Sequence, residues 1–147
     1  MKVVLDTSVY VAGILNPNGG SGEILRLWRD EAMFEVVASP NLLAELLETL
    51  HKPKLQGRFE PKDPEAAIQS FRQTAELWPD VPNPPGATRD VNDDFLVSLT
   101  LRSRAEALVS LDNDLLLLGG LKRADGVLIP VVSPGDLLGW LRDSGLQ

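Results

Sequence analysis

Cysteine is absent from the 147-residue chain, and histidine occurs once. The first absence excludes disulfides, zinc–thiolate sites and a cysteine nucleophile, and it fits a reducing compartment. The second leaves no credible Ser/His/Asp triad. His51 stands beside Lys52-Pro53, where a charge on a helix C-terminal dipole is its better role. No apolar run approaches the roughly 20 residues that span a bilayer. Met1-Lys2 leads straight into a strand-like run, with no signal-peptide pattern. A cytoplasmic protein without a membrane segment is the expectation. Basic residues are outnumbered, 14 Lys and Arg against 21 Asp and Glu, for a formal net charge of −7. That balance argues against a nucleic-acid binder with a basic stripe. One case escapes the argument: acids gathered around divalent cations let the bound ions reverse the local sign and face phosphate.

The length fits one domain, residues 1–147. A chain of this size buries roughly 70% of the surface it exposes when unfolded, and 44% hydrophobic residues is ordinary globular usage. Val3-Val4-Leu5 reads as a short strand buried on both faces, ending at Asp6. A helical pattern follows over 7–15. Asn16-Pro17-Asn18-Gly19-Gly20 reads as a loop; no Gly-Lys-Ser/Thr follows to make it a phosphate loop. A helix is predicted over 21–31, a second strand over 34–38, and a helix from Ser39-Pro40 to about His51, with serine as N-cap and proline at the first helical position. Residues 54–62 read as irregular. Asp63-Pro64 opens a further helix, and a third strand is expected near 77–81. Pro79, Pro82, Pro84 and Pro85 make a stiff, exposed connection. A helix over 92–104, a fourth strand over 107–110, a short helix over 112–118 ended by Gly119-Gly120, and a fifth strand over 127–132 follow. Pro130 suggests that the fifth strand is an edge. Ser133-Pro134-Gly135-Asp136 starts the last helix with a capping box. Strands alternating with helices predict an α/β fold with a parallel sheet and helices on both faces.

The acids then fall into a pattern. In a parallel sheet the ends of the first and fourth strands open on one edge, so Asp6 meets Asp112 and Asp114 there. Asp93 and Asp94 lie in the first turn of the helix feeding the fourth strand. Singly, Asp6 and Asp112 can be helix caps, Asp93 and Asp94 first-turn charges, and Asp114 solvated surface. Together, carboxylates on one rim raise one another's pKa unless a cation neutralises them. Hard oxygen ligands suit Mg²⁺ or Mn²⁺. Glu45, among Leu42, Leu43, Leu46 and Leu47, is left open by the pattern, facing either solvent or the protein. Other acid-rim chemistries fit less well. Asp6-Thr7-Ser8 lacks the second acid of a haloacid-dehalogenase-like phosphatase, and Tyr10 replaces the last serine of a von Willebrand-type Asp-x-Ser-x-Ser site.

Four stretches carry a family resemblance: Val3-Val4-Leu5-Asp6-Thr7-Ser8-Val9, Ser39-Pro40-x-x-Leu43-Ala44-Glu45-Leu46, Asp90-Val91-Asn92-Asp93-Asp94-Phe95-Leu96, and Leu108-Val109-Ser110-x-Asp112-x-Asp114-Leu115-Leu116. In this order they resemble the signatures of PIN-domain nucleases, most closely the VapC-like toxin components of toxin–antitoxin systems. The resemblance implies a five-stranded parallel sheet ordered 3-2-1-4-5 and a ribonuclease using one or two Mg²⁺ or Mn²⁺ ions. Its metal ligands and catalytic acids would be Asp6, Glu45, Asp93 and Asp112. Asp93 takes the family's place in the Asp-x-x-Asp-Asp-Phe-Leu run; Asp94 stays open, since one residue turns a helix by about 100°. Ser8, Ser110 and Asp114 would be accessory. Ser8 stands where the family usually has asparagine, Ser110 where it often has threonine, and Leu111 where this branch often has glycine. An RNA substrate, a cognate antitoxin and a homodimer are the partners implied. Lys52, Lys54 and Arg58 are candidates for guiding the strand, or plain solvated surface. The rival readings are a PIN-like module that binds RNA or protein without cutting, and a metal-dependent phosphatase.

Overall fold

Strand β1 (Lys2–Leu5) lies inside the sheet because it has apolar partners on every side. It pairs in parallel with β2 (Glu35–Ala38) on one flank and β4 (Ala107–Val109) on the other. Val3, Val4 and Leu5 are wholly buried, as a strand covered on both faces requires. The structure, a computed structural model, describes residues 1–55, 57–58, 63–81 and 91–144, with residues 91–94 described in backbone only. Beyond β2 lies β3 (Glu76–Leu77), and beyond β4 lies β6 (Leu128–Val132). All these pairings are parallel. A further strand, β5 (Gly120–Lys122), adds antiparallel to β6, giving six strands among the described residues, in the order β3-β2-β1-β4-β6-β5.

The α/β class and the relative order of the five expected strands stand; the count is corrected by β5. The helix expected over 112–118 is only α6 (Asn113–Leu116). Gly119 then takes a left-handed φ of 70° and turns the chain into β5. β6 is therefore not an edge. Pro130 is tolerated inside the sheet because the β4 ladder begins one residue later, at Leu108 opposite Val131. On the other flank the residue after Pro130 supplies the donor, the Val131 N–H reaching the Gly119 carbonyl at 3.1 Å. The turn from β5 to β6 is held by an Arg123–Asp125 fork at 2.9 and 2.7 Å. Those hydrogen bonds hold the Asp125 carboxyl well below its ordinary range, at about 2.

Helices flank the sheet: α1 (Thr7–Leu15), α2 (Gly20–Arg29), α3 (Pro40–Leu50), α4 (Pro64–Thr74), α5 (Val91–Arg102) and α7 (Pro134–Asp143). Local chemistry sets the starts of α3, α4 and α7. Ser39 accepts from the Leu42 N–H at 3.3 Å and Asp63 from the Glu65 N–H at 3.1 Å, each followed by proline at the first helical position. Ser133 and Asp136 close the expected capping box at 3.1 and 3.2 Å. A 3₁₀ turn spans Pro53–Leu55. The proline-rich connection at Pro82, Pro84 and Pro85, and residues 56 and 59–62 of the irregular stretch, lie outside the described residues. Among the described residues no helix is long and apolar enough to cross a membrane.

Three aromatics join α1, α2 and α4. Tyr10 meets Phe71 edge-on at 5.0 Å and Trp28 at 6.3 Å, while Trp28 and Phe71 stack at 5.9 Å. Such pairs add about 0.5–1.5 kcal/mol each beyond the area they bury. The Tyr10 hydroxyl is buried and finds no hydrogen-bond partner among the described residues. Burial alone pushes that phenol well above its ordinary pKa. Gly22 sits where a side chain has no room, since a Cβ there would lie 2.3 Å from the Pro17 carbonyl oxygen. An unpaired buried hydroxyl costs about 1–3 kcal/mol, so Tyr10→Phe is expected to keep or raise the unfolding free energy in a urea titration. A loss above about 1 kcal/mol would show that the hydroxyl has a partner. Gly22→Ala is expected to lower that free energy by about 1–3 kcal/mol; an unchanged midpoint would contradict the close approach.

Candidate active site

Each of the four longer parallel strands hands over to a polar residue at its carboxyl end. In spatial order these are Ser39, Asp6, Ser110 and Ser133 after β2, β1, β4 and β6. Register aligns the middle pair. Leu5 is opposite Val109, and the Asp6 N–H donates to the Val109 carbonyl at 2.9 Å. Asp6 and Ser110 thus stand side by side at the sheet edge. Ser39 and Ser133 cap the helices that follow them. Asp6 occupies the N-cap position of α1 yet makes no side-chain cap bond.

Its carboxylate is taken up otherwise. Asp6 is 6% exposed. Oδ2 accepts from the Ser8 hydroxyl and from the Ser110 hydroxyl, both at 2.8 Å. Oδ1 accepts from the Thr7 hydroxyl at 3.2 Å. The same Thr7 Oγ1 lies 3.1 Å from Glu45 Oε1. Glu45 is therefore turned toward α1 and half-buried, which settles the orientation that the leucine pattern left open. The two carboxylates converge on one hydroxyl, within about two hydrogen-bond lengths of each other.

Asp112 joins the network through its backbone. Its N–H donates to the Ser110 hydroxyl at 2.9 Å, so Ser110 passes its own proton to Asp6 while accepting from Asp112. The Asp112 side chain caps α6, accepting from the Asp114 N–H at 2.8 Å. The cap reading thus applies to Asp112, whose carboxylate is at the exposed surface of the same edge. Ser8 does double duty as well, accepting from the Leu111 N–H at 3.2 Å and tying α1 to the loop after β4. Asp114 is exposed. Asp93 and Asp94 start α5, but their side chains lie outside the described residues. Lys52, Lys54 and Arg58 are exposed, and the Arg58 guanidinium donates to the Lys54 carbonyl at 3.3 Å.

Thr7 stands in the first of the four signatures, next to Asp6. Its link to Glu45, 38 residues away, has no local signal, because it depends on where α3 packs against α1. Among the described residues no three Asp, Glu or His side chains form a ready-made metal cluster. The donor chemistry nonetheless fits a hard divalent cation. Asp6 and Glu45 present oxygen ligands from two directions, and the hydroxyls around Asp6 fix its plane.

The sequence model of one family, described as PIN domain, matches residues 2–114. The chain belongs to the PIN-domain family. That span includes β1, α3, the start of α5 and the β4–α6 edge, so three signatures and the fourth as far as Asp114 fall inside it. An uncharacterized protein of Methanocaldococcus jannaschii, MJ1680, is 27% identical over 116 residues, 79% of this chain and 74% of that protein. The crystal structure of PAE2754 from Pyrobaculum aerophilum superposes with a TM-score of 0.57 at 17% identity, covering 97% of this chain and 90% of that one. This second likeness bears on the fold alone. The fold is therefore of nuclease type, and PIN domains generally are metal-dependent nucleases.

The Ser110 hydroxyl serves two groups at a wholly buried position. Ser110→Ala is expected to cost about 1–3 kcal/mol in chemical denaturation, because it strips one donor from Asp6 and leaves the Asp112 N–H without its acceptor. A loss below about 0.5 kcal/mol would contradict this account of the edge.

Proposed function

We propose that this PIN-domain chain is a metal-dependent endoribonuclease, hydrolysing RNA phosphodiester bonds with Mg²⁺ or Mn²⁺, and that it is the toxin of a toxin–antitoxin pair. The observation that carries the nuclease reading is the use made of Asp6. It stands at a helix N-cap position yet gives its carboxylate to three hydroxyls, one of them shared with Glu45. A stability-only role would be served by capping, as at Ser39 and Ser133. Two carboxylates facing one proton repel each other, and a cation between them relieves that repulsion.

Asp6 and Glu45 would hold the ion, with Asp93 and Asp112 completing the ligand set that the resemblance implies. When bound, one or two such ions supply charge neutralisation at the phosphate and a water of lowered pKa. The chain's own residues do the rest. Ser8 and Ser110 hold Oδ2 of Asp6, so its plane is set before any ion arrives. Ser110 also fixes the backbone of Asp112, keeping that acid on the same edge. The gathered acids explain how a chain of net charge −7 faces a polyanion: locally the cations decide the sign. The toxin role rests on the likeness of the four signatures to the VapC-like branch. It brings with it an antitoxin covering this edge and a homodimer, both part of the same proposal.

Asp6→Asn, confirmed as folded by circular dichroism, is expected to cut RNA at least about a hundredfold more slowly than wild type in Mn²⁺, beyond what even an outer-shell partner costs. Cleavage at the wild-type rate would sink the nuclease assignment. Wild-type turnover of a phosphomonoester without turnover of RNA would favour the phosphatase instead.

A further inference from the structure

Glu45 reaches the edge on a long side chain with three rotatable bonds, from a helix whose start is held twice. Ser39 accepts from the Leu42 N–H, and Asp80, from beyond β3, accepts from the Asn41 N–H at 2.8 Å. These caps place the backbone of α3, and the Glu45 carboxylate lies beyond them at the end of its side chain. Thr7 is the opposite kind of residue. It is 8% exposed, sits at the first position of α1, and is β-branched, so its hydroxyl has few directions to point. That hydroxyl lies 3.2 Å from Asp6 Oδ1 and 3.1 Å from Glu45 Oε1. Of the three hydroxyls that serve Asp6, Thr7 is the one that also reaches Glu45; Ser8 and Ser110 both attach to Oδ2.

We propose that Thr7 is a positioning residue: its stiff hydroxyl sets Glu45 against Asp6 and so brings the two carboxylates together before a divalent cation binds. The inference rests on the metal-site reading above. A hydroxyl has a single proton to donate. Two carboxylates drawn to it stay close although neither is neutralised by it, which is the arrangement a cation site needs in advance. Ser8 and Ser110 orient Asp6 alone. Thr7 orients the pair.

The test is a Mn²⁺ titration without RNA, read as the electron paramagnetic resonance signal of free Mn²⁺, on wild type, Thr7→Val, Thr7→Ser, Glu45→Gln and the Thr7→Val/Glu45→Gln double variant. Thr7→Val is expected to weaken Mn²⁺ binding by about tenfold, in the range for losing an outer-shell partner. Thr7→Ser, which keeps the hydroxyl, should stay within about twofold. In the Glu45→Gln background Thr7→Val should weaken binding by a clearly smaller factor, because the Glu45 carboxylate is gone and only the hydroxyl's bond to Asp6 remains to be lost. The inference is overturned if Thr7→Val binds like wild type, or if it weakens binding by the same factor with and without Glu45. Thr7→Ala carries the same comparison should valine disturb the start of α1. Asp6→Asn separates the two levels of failure. If wild type binds no Mn²⁺, or Asp6→Asn binds it as tightly, the metal-site reading falls and takes this inference with it. If Asp6→Asn abolishes binding while Thr7→Val leaves it intact, the inference alone falls.

Discussion

A buried carboxylate is costly unless its oxygens are hydrogen-bonded, and the arrangement around Asp6 is the constraint on which the sheet edge depends. Three hydroxyls from two segments meet that demand: Thr7 and Ser8 from the start of α1, Ser110 from the end of β4. Each has a second task. Thr7 reaches Glu45, Ser8 accepts from Leu111, and Ser110 accepts from Asp112. Satisfying one acid therefore ties together β1, α1, α3 and the β4–α6 loop. The same bonds that stabilise the edge also orient its oxygens.

The parallel sheet makes this economical. Every strand end on that edge must pass to a helix or a loop, and polar residues are needed there to meet the first helical N–H groups. Ser39 and Ser133 do this ordinary work. Asp6 and Ser110, the central pair in the row, face each other instead. The divergence between neighbours in equivalent places separates a functional reading from a structural one more clearly than any acid taken singly. The PIN-domain match over residues 2–114 contains both members of that pair.

Much of this was legible in the sequence, where local chemistry decides. Serine or aspartate followed by proline marked the starts of α3, α4 and α7 because capping acts within four residues. Val3-Val4-Leu5 marked a central strand because a run apolar on both faces has nowhere else to go. β5 escaped notice. Three residues cannot show alternation, and Gly119-Gly120 reads equally as a helix stop and as the turn into a strand. Pro130 misled for a related reason: its missing N–H matters only where a ladder needs it, and the β4 ladder starts at Val131. The orientation of Glu45 was hidden because leucines surround it in sequence; only the packing of α3 on α1 decides which way it turns. The Asp112 side chain takes the cap reading at α6, while its backbone is fixed to the Asp6 network.

Asp6 and Glu45 are proposed to form one cation site at the sheet edge. A crystal of the protein soaked in Mn²⁺ and measured for anomalous scattering tests it most directly. The expected result is an anomalous peak within coordination distance of carboxylate oxygens from both Asp6 and Glu45. Peaks confined to other surface acids, with Asp6 and Glu45 held only by the Thr7, Ser8 and Ser110 hydroxyls, would contradict it.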